Sequence, residues 1–104
     1  MEPIKVGHVT ERGTRQHIFP VGNLMAKYPG CQPILMFQRP GSETAYPVAS
    51  AVVDGGRMVW TFSETDTATE GDGFCWLVMI DETGERVWMT DKMPTHTDAS
   101  YTAG

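Results

Sequence analysis

The sequence predicts an all-β fold, an antiparallel β-sandwich with one short helix. Three strand-like runs, residues 57–62, 74–80 and 85–89, follow one another at nearly regular spacing, separated by loops rich in Gly, Asp, Glu and Thr. This spacing is typical of sandwich domains. The 11 Gly and 7 Pro are spread along the chain and interrupt any pattern long enough to form a long helix.

The first part of the chain predicts two strands and a short helix. Residues 4–9 and 14–19 are expected to pair as a hairpin across residues 10–13, where Gly13 supplies a positive φ. Helical spacing follows, with Asn23 as a capping residue, and Pro-Gly at 29–30 ends it. The apolar residues at this spacing are Val21, Leu24, Met25 and Tyr28.

The middle of the chain predicts two strands joined by a tight turn. Residues 34–37 form a continuous apolar run, which indicates a strand covered on both faces. Arg-Pro-Gly-Ser at 39–42 is typical of a type II turn. Residues 45–53 are predicted as an edge strand, because Pro47 cannot donate a hydrogen bond to a neighbouring strand.

Two later segments determine how the strands connect. Residues 63–66 have the spacing of a capping box and predict a single helical turn in a link that crosses between sheets. Residues 81–84 predict a hairpin turn, so the last two runs should pair. After Lys92 the sequence becomes small and polar. We therefore expect a β-sandwich domain over 1–93 and, over 94–104, a flexible tail or linker to a further C-terminal region.

Charge and composition narrow the class of partner. The chain has 104 residues and a formal charge of −5 with 8 Lys and Arg, which argues against nucleic acid and anionic membranes as partners. No segment approaches the roughly 20 apolar residues of a membrane span, and residues 1–5 show no apolar leader. Cys75 is expected in the core; Cys31 could be buried or exposed, and nothing supports a disulfide between them.

No pattern of reactive residues predicts catalysis or metal binding. His8, His17 and His96 lack metal-ligand spacing, although the first two could meet across the predicted hairpin. The serines lack a Gly-x-Ser-x-Gly frame. One acidic loop could in principle hold Ca²⁺, but it does not match an EF-hand, and a solvated loop explains it equally well. Its carboxylates are Glu64, Asp66, Glu70 and Asp72. We expect no catalytic residues, no cofactor and no metal site.

The run at 74–80 is apolar on both faces. If Cys75, Leu77 and Met79 line the core, the alternate residues form a second apolar face that needs a cover. The domain's own helix, loops or tail could provide the cover, or the face could be a subunit interface or a sugar-stacking platform. The interface candidates are Phe74, Trp76, Val78, Ile80 and, from the paired strand, Trp88.

Several segments resemble a known family over most of residues 4–93. They are Arg-Pro-Gly at 39–41, Ala-Tyr-Pro-Val at 45–48, Val-Trp-Thr-Phe at 59–62, Thr-Asp-Thr-Ala at 65–68, and Gly-Asp-Gly at 71–73 leading into Cys-Trp-Leu at 75–77. With these segments the chain resembles the N-terminal Ig-like domains of phage and prophage structural proteins, especially the upper baseplate type. The resemblance implies an Ig-like antiparallel β-sandwich that anchors a longer baseplate, tail or fibre protein.

The functional hypothesis is a non-catalytic module of a phage virion, made in the bacterial cytoplasm. It would act through protein–protein contacts with further copies of itself, as a homo-oligomer such as a trimer, or with another virion structural protein. The alternative is a carbohydrate-binding domain that recognises a host-surface glycan on Trp76 or Trp88. A small enzyme is the third hypothesis and requires a concave pocket with a perturbed titratable group.

Overall fold

The computed structural model describes residues 3–8 and 16–98. Within these ranges the chain forms nine strands and one helix in two sheets. The elements are β1 (Ile4–His8), β2 (Gln16–Pro20), α1 (Gly22–Lys27), β3 (Gln32–Gln38), β4 (Tyr46–Pro47), β5 (Ala51–Asp54), β6 (Arg57–Thr61), β7 (Gly71–Ile80), β8 (Arg86–Met89) and β9 (Met93–Asp98). The predicted all-β sandwich with one short helix is confirmed.

The larger sheet is built around β7. Its strand order is β1-β9-β7-β3-β4, and β8 also pairs with β7. Because β3 occupies one edge of β7, β8 and β9 share the other edge: β9 pairs with residues 71–75 and β8 with residues 78–80. The β1–β9 pair is parallel, so this sheet is mixed, whereas the prediction was antiparallel throughout.

The smaller sheet has the order β2-β6-β5 and is antiparallel. The predicted N-terminal hairpin is wrong, because β1 pairs with β9 in the larger sheet and β2 pairs with β6 in the smaller one. The predicted turn at 10–13 lies outside the described residues. The alternation of residues within β1 and β2 indicated two strands close together in the sequence. It could not indicate that each of them pairs with a strand far along the chain.

Two segments cross between the sheets. The predicted edge strand at 45–53 is divided into β4, at one edge of the larger sheet, and β5, at one edge of the smaller sheet. Pro47 lies at such an edge, as expected. The second crossing is the link between β6 and β7, which contains the predicted turn: the backbone N–H of Thr67 donates to the carbonyl of Ser63 over 3.1 Å.

The expectation of a flexible tail from residue 94 is wrong for residues 94–98, which belong to β9 between β1 and β7. Thr95 and Thr97 are buried there, while their neighbours Pro94, His96 and Asp98 are half-buried. Threonine is β-branched and favours strands. Because it is also polar, the alternation of buried and half-buried residues in β9 did not appear as an alternation of apolar and polar residues in the sequence. Residues 99–104 lie outside the described part of the chain.

The core lies between the two sheets and is rich in aromatic rings. The ring of Trp60 is fully buried and meets Phe37 from the larger sheet at 5.1 Å and Phe62 at 4.7 Å, both edge to face. Most core residues come from the inner faces of β3, β6 and β7: Leu35, Phe37, Met58, Trp60, Cys75, Leu77 and Met79. These alternating positions explain why the three apolar runs could be recognised in the sequence.

Gly73 provides a test of this packing. A Cβ atom at residue 73 would lie 2.4 Å from the carbonyl oxygen of Gln38 and 3.0 Å from Oγ1 of Thr95, so β3 and β9 would have to move apart. We expect Gly73→Ala to lower the free energy of unfolding by about 3 kcal/mol, measured by urea denaturation. In the control Gly56→Ala, the nearest contact is an ordinary 3.6 Å, and we expect no loss. Equal stability of the two variants would contradict this account.

Candidate functional site

The strand β7 separates core residues from an outward-facing apolar row. Cys75, Leu77 and Met79 are buried between the sheets, and the alternate positions Phe74, Trp76, Val78 and Ile80 share the opposite face. Phe74 keeps 44% of its surface exposed, Val78 keeps 6%, and Trp76 and Ile80 are half-buried. Four of the five interface candidates therefore lie together on one face.

Neighbouring strands widen this row into a patch. Opposite residues in paired strands share a face, which places Met36 beside Trp76, and Ile34 and Met89 on either side of Val78. Met89 is 44% exposed. We call this patch the outer face and define it by Ile34, Met36, Phe74, Trp76, Val78, Ile80 and Met89. The sequence indicated that β3 was covered on both faces, but not that its outer residues continued the Trp76 row.

Trp88 is a correction to the predicted interface, because it lies on the other side of the sheet. It pairs with Met79, packs against the core, and places its ring 6.3 Å from that of Tyr28. The pairing of β7 with β8 shifts between Met79 and Ile80. A shift of one residue moves a side chain to the opposite face, and the sequence of β8 alone does not fix that register.

A lysine lies over the two aromatic rings of the outer face. Nζ of Lys92, in the link between β8 and β9, is 5.2 Å from the ring centre of Trp76 and 5.9 Å from that of Phe74. These are cation–π distances, which contribute about 0.5–1 kcal/mol at exposed sites. The charge therefore lies close to the middle of an otherwise apolar patch.

One end of the outer face carries a histidine held between two carboxylates. Nδ1 of His96 lies 2.8 Å from Oδ1 of Asp72, and Nε2 lies 3.1 Å from Oδ1 of Asp98. The hydrogen bond to Asp72 and the negative charge of both carboxylates raise the pKa of His96. Lys5 pairs with His96 across the β1–β9 ladder. We call Asp72, His96 and Asp98 the acidic end.

The other end of the outer face carries an arginine. Arg86 pairs with Ile80, and its Nη1 lies 3.4 Å from Sδ of Met89, which places the guanidinium on the outer side of β8. Arg86 directly follows the acidic turn at 81–85, and Lys5 lies beside His96 at the opposite end, so each end of the outer face carries charges of both signs.

A smaller apolar row lies on the outer side of the smaller sheet. Ile18, Val59 and Val52 are cross-strand neighbours in β2, β6 and β5. Ile18 is 45% exposed and Val52 is 57% exposed. The row is three residues wide and has no aromatic member. Sequence reasoning missed it, because β5 was predicted as one long edge strand and β2 was predicted to pair with β1.

The carboxylates of the acidic loop do not converge on a cation site. Asp66 is buried, and its two oxygens accept hydrogen bonds from the Tyr46 hydroxyl at 2.5 Å, Trp60 Nε1 at 2.9 Å and the Ser63 amide at 3.0 Å. Asp72 belongs instead to β7. Burial and the hydrogen bond to Asp66 raise the pKa of the Tyr46 hydroxyl. This arrangement holds the two sheets together and leaves Asp66 little capacity for a ligand.

The remaining reactive groups are dispersed. Cys75 is buried, and burial raises the pKa of its thiol to about 12; Cys31 is half-buried, and both thiols are free. Burial lowers the pKa of His17, which packs edge to face on Phe19 at 4.7 Å. Over residues 3–8 and 16–98, no group of three His, Cys, Asp or Glu side chains has an arrangement that could hold a metal ion. In the same ranges, no helix has the length and apolar character to span a bilayer.

Comparison with known proteins gives a likeness in fold. No protein-family model matches the chain, and no curated protein matches it. Among solved structures, it is similar to the N-terminal domain of phage TP901-1 ORF48, with a TM-score of 0.57 and 13% sequence identity. The match covers 96% of this chain and 86% of that one. At this identity the likeness shows that the two domains share a fold.

The Asp66 cluster predicts a large effect on stability. Asp66→Ala would leave the Tyr46 hydroxyl, the Trp60 indole N–H and the Ser63 amide without an acceptor in the interior. We expect a loss of about 3–5 kcal/mol in the free energy of unfolding, measured by urea denaturation with tryptophan fluorescence. Asp54→Ala, at an exposed carboxylate, should change stability by less than about 0.5 kcal/mol. If Asp66→Ala changed the free energy of unfolding by an equally small amount, the cluster would not be what holds the sheets together.

The acidic end predicts a pH-dependent stability. Since the pKa of His96 is raised above its ordinary value of 6.5, the protonated ring stabilises the fold fully below pH 6.5, and this contribution is lost as pH rises through the folded-state pKa. The stability difference between wild type and His96→Gln should therefore be constant at low pH and decrease above pH 6.5. Urea denaturation at pH values from 5 to 9 measures this difference. Because His17 is present in both proteins, the effect of its titration cancels when one stability is subtracted from the other. A difference independent of pH would contradict the prediction.

Proposed function

We propose that this domain is a non-catalytic structural module of a phage virion. It would anchor or assemble a baseplate, tail or head-fibre protein through protein–protein contacts made by the outer face. The observation that carries the proposal is the likeness to the N-terminal domain of a phage protein over 96% of the chain. The family resemblance of the segments at 39–41, 45–48, 59–62, 65–68, 71–73 and 75–77 supports the same class.

The outer face has the properties of a docking surface. It combines aromatic and methionine side chains, which are enriched in interfaces, with exposed apolar area on Phe74 and Met89. Its central residues lie on a ten-residue strand held on both edges, so they are fixed before a partner arrives. The partner would be a second copy of the chain or another virion structural protein, and the place of action would be the virion.

The chemistry of the site favours binding over turnover. The buried carboxylate of Asp66 is occupied by internal donors, and the thiol of Cys75 is buried with a raised pKa. His96 lies between the carboxylates of Asp72 and Asp98 on an open sheet surface, away from Asp66 and Cys75. These groups do not form the nucleophile–base geometry that a catalytic site requires.

Protein docking is favoured over glycan binding by the surroundings of the tryptophans. Stacking on a sugar requires an open indole face. Trp60 is buried, Trp88 packs beside Tyr28, and the Lys92 ammonium lies over Trp76. The outer face therefore offers a broad apolar surface and no open aromatic platform.

The proposal predicts that the protein is retained in phage particles through the outer face. The full-length protein should co-sediment with particles purified on a density gradient and should be identified there by mass spectrometry. Trp76→Glu places a charge on the outer face, and we expect at least a tenfold loss from the particle fraction.

Val52→Glu is the matched control, because it places the same charge on the small-sheet row, and we expect normal retention. Circular dichroism would verify that both variants are folded. Absence of the wild-type protein from particles would contradict the virion assignment. Retention of the folded Trp76→Glu variant would contradict the role of the outer face.

A further inference from the structure

Two buried hydroxyl groups in β9 lack hydrogen-bond partners. Thr95 and Thr97 are fully buried, and Oγ1 of each has no partner in the described part of the chain. A buried hydroxyl without a partner loses its hydrogen bonds to water and gains none in return, which destabilises the folded state. If β9 were exposed to water, both hydroxyls would be hydrogen-bonded. The inner side of β9 therefore favours separation of this strand from the sheet.

The cross-strand neighbours of these threonines contribute little packing. Gly73 lies opposite Thr95 on β7, and Thr97 has Gly71 on one side and Gly7 on the other. Cross-strand side-chain contacts stabilise a sheet, and a glycine provides none. Met93, at the start of β9, is the one apolar residue of this strand that packs against the core. On its inner side, β9 is thus held mainly by its backbone hydrogen bonds.

The outer side of β9 is held by charge. His96 lies between Asp72 of β7 and Asp98 of its own strand. Lys5 of β1 is the cross-strand neighbour of His96. Of these side chains, Asp72 is the one that joins β9 to β7. Its side chain is 79% exposed and that of His96 is 39% exposed, and ion pairs in water stabilise a structure only weakly.

We propose that β1 and β9 separate from the sheet as one unit while the rest of the sandwich stays folded. Within the described residues, β1 pairs with β9 and with no other strand, so it cannot stay in the sheet when β9 leaves. The remaining strands do not need this unit, because β3 and β8 pair with β7 over residues 74–80. The hydrogen bonds that Asp66 accepts from Tyr46, Trp60 and Ser63 also involve no residue of β1 or β9.

The opened state is a minor one that changes what the larger sheet offers to its surroundings. Opening exposes Val6 and Ile4 of β1, which pack in the core, so the closed state predominates. In the opened state, the edge of β7 over residues 71–75 has lost β9 as its neighbour, and its backbone groups are free to pair. This conformational device goes beyond the proposed function and does not depend on it.

His96 makes the opening depend on pH. The hydrogen bond to Asp72 and the charges of Asp72 and Asp98 raise the pKa of His96, and Lys5 is the cation beside it. The protonated ring holds β9 to β7 fully below pH 6.5, and this contribution is lost as pH rises through the folded-state pKa. The opened state should therefore be about two- to fivefold more populated at pH 8.5 than at pH 5.5.

Native-state hydrogen exchange of the 104-residue chain, followed for each amide by NMR, tests the proposal. After correction for intrinsic rates, the hydrogen-bonded amides of residues 95–97 should exchange at least about a hundredfold faster than those of residues 76–79. The amides of β1 that bond to β9 should exchange at the β9 rate. Exchange in β9 should also respond less to urea than exchange at 76–79, because a partial opening exposes less surface than global unfolding.

The double variant Thr95→Val with Thr97→Val removes both hydroxyls and keeps the shape of the side chains. Exchange in β9 should slow at least about tenfold, because the closed strand no longer buries unpaired hydroxyls. Thr69→Val, at an exposed position in the link between β6 and β7, is the control and should leave exchange in β9 unchanged. In His96→Gln, the difference in corrected β9 exchange between pH 5.5 and pH 8.5 should disappear.

Several results would overturn the proposal. They are exchange in β9 no faster than at residues 76–79, the same urea dependence for both groups, or a double valine variant that exchanges no more slowly than wild type. A pH dependence that persists in His96→Gln would overturn the role of His96. Because exchange is measured on the purified chain, its failure leaves the virion assignment intact. Absence of the protein from phage particles would likewise leave the exchange result intact.

Discussion

The buried carboxyl group of Asp66 is the interaction on which the sandwich depends. It joins Tyr46, on β4 of the larger sheet, to Trp60, on β6 of the smaller sheet, and it also accepts the Ser63 amide of its own link. A carboxyl group removed from water is costly unless its oxygens receive donors, and here donors arrive from both layers. Nearby, the Arg39 guanidinium lies 5.6 Å from the Tyr46 ring centre. Two sheets that share one acceptor cannot slide without leaving buried donors unpaired.

The same constraint positions the outer face. The link that contains Asp66 leads directly from β6 of the smaller sheet into β7 of the larger one, so fixing Asp66 fixes where β7 begins. At Gly73, β3 and β9 lie so close to β7 that there is no room for a side chain. Beyond it, the strict alternation of β7 places Cys75 in the core and Trp76 outside. The apolar surface is therefore a direct consequence of how the core is closed.

The sequence predicted what depends on local period and failed where distant pairing decides. Alternation on 74–80 correctly separated Phe74 and Trp76 from Cys75. The alternation could not show which face of the sheet Trp88 lies on, because that depends on a register shift between β7 and β8. Polar β9 looked like a tail because its buried residues are threonines, and β1 is held by that strand in a parallel pair. Asp66 looked like one of several loop acids, since nothing in its neighbourhood revealed a buried tryptophan N–H and tyrosine hydroxyl as its donors.

Under the proposed function, the position of the outer face on β7 also determines what kind of partner it can accept. A strand with neighbours on both edges has little freedom to adjust its backbone, so a partner must match a surface that is already set. Adaptation is left to the flexible side chains of Met36, Met89 and Lys92, while Trp76 and Val78 stay fixed by the sheet beneath them. A rigid centre with adjustable edges favours a partner that is itself a flat, preformed sheet.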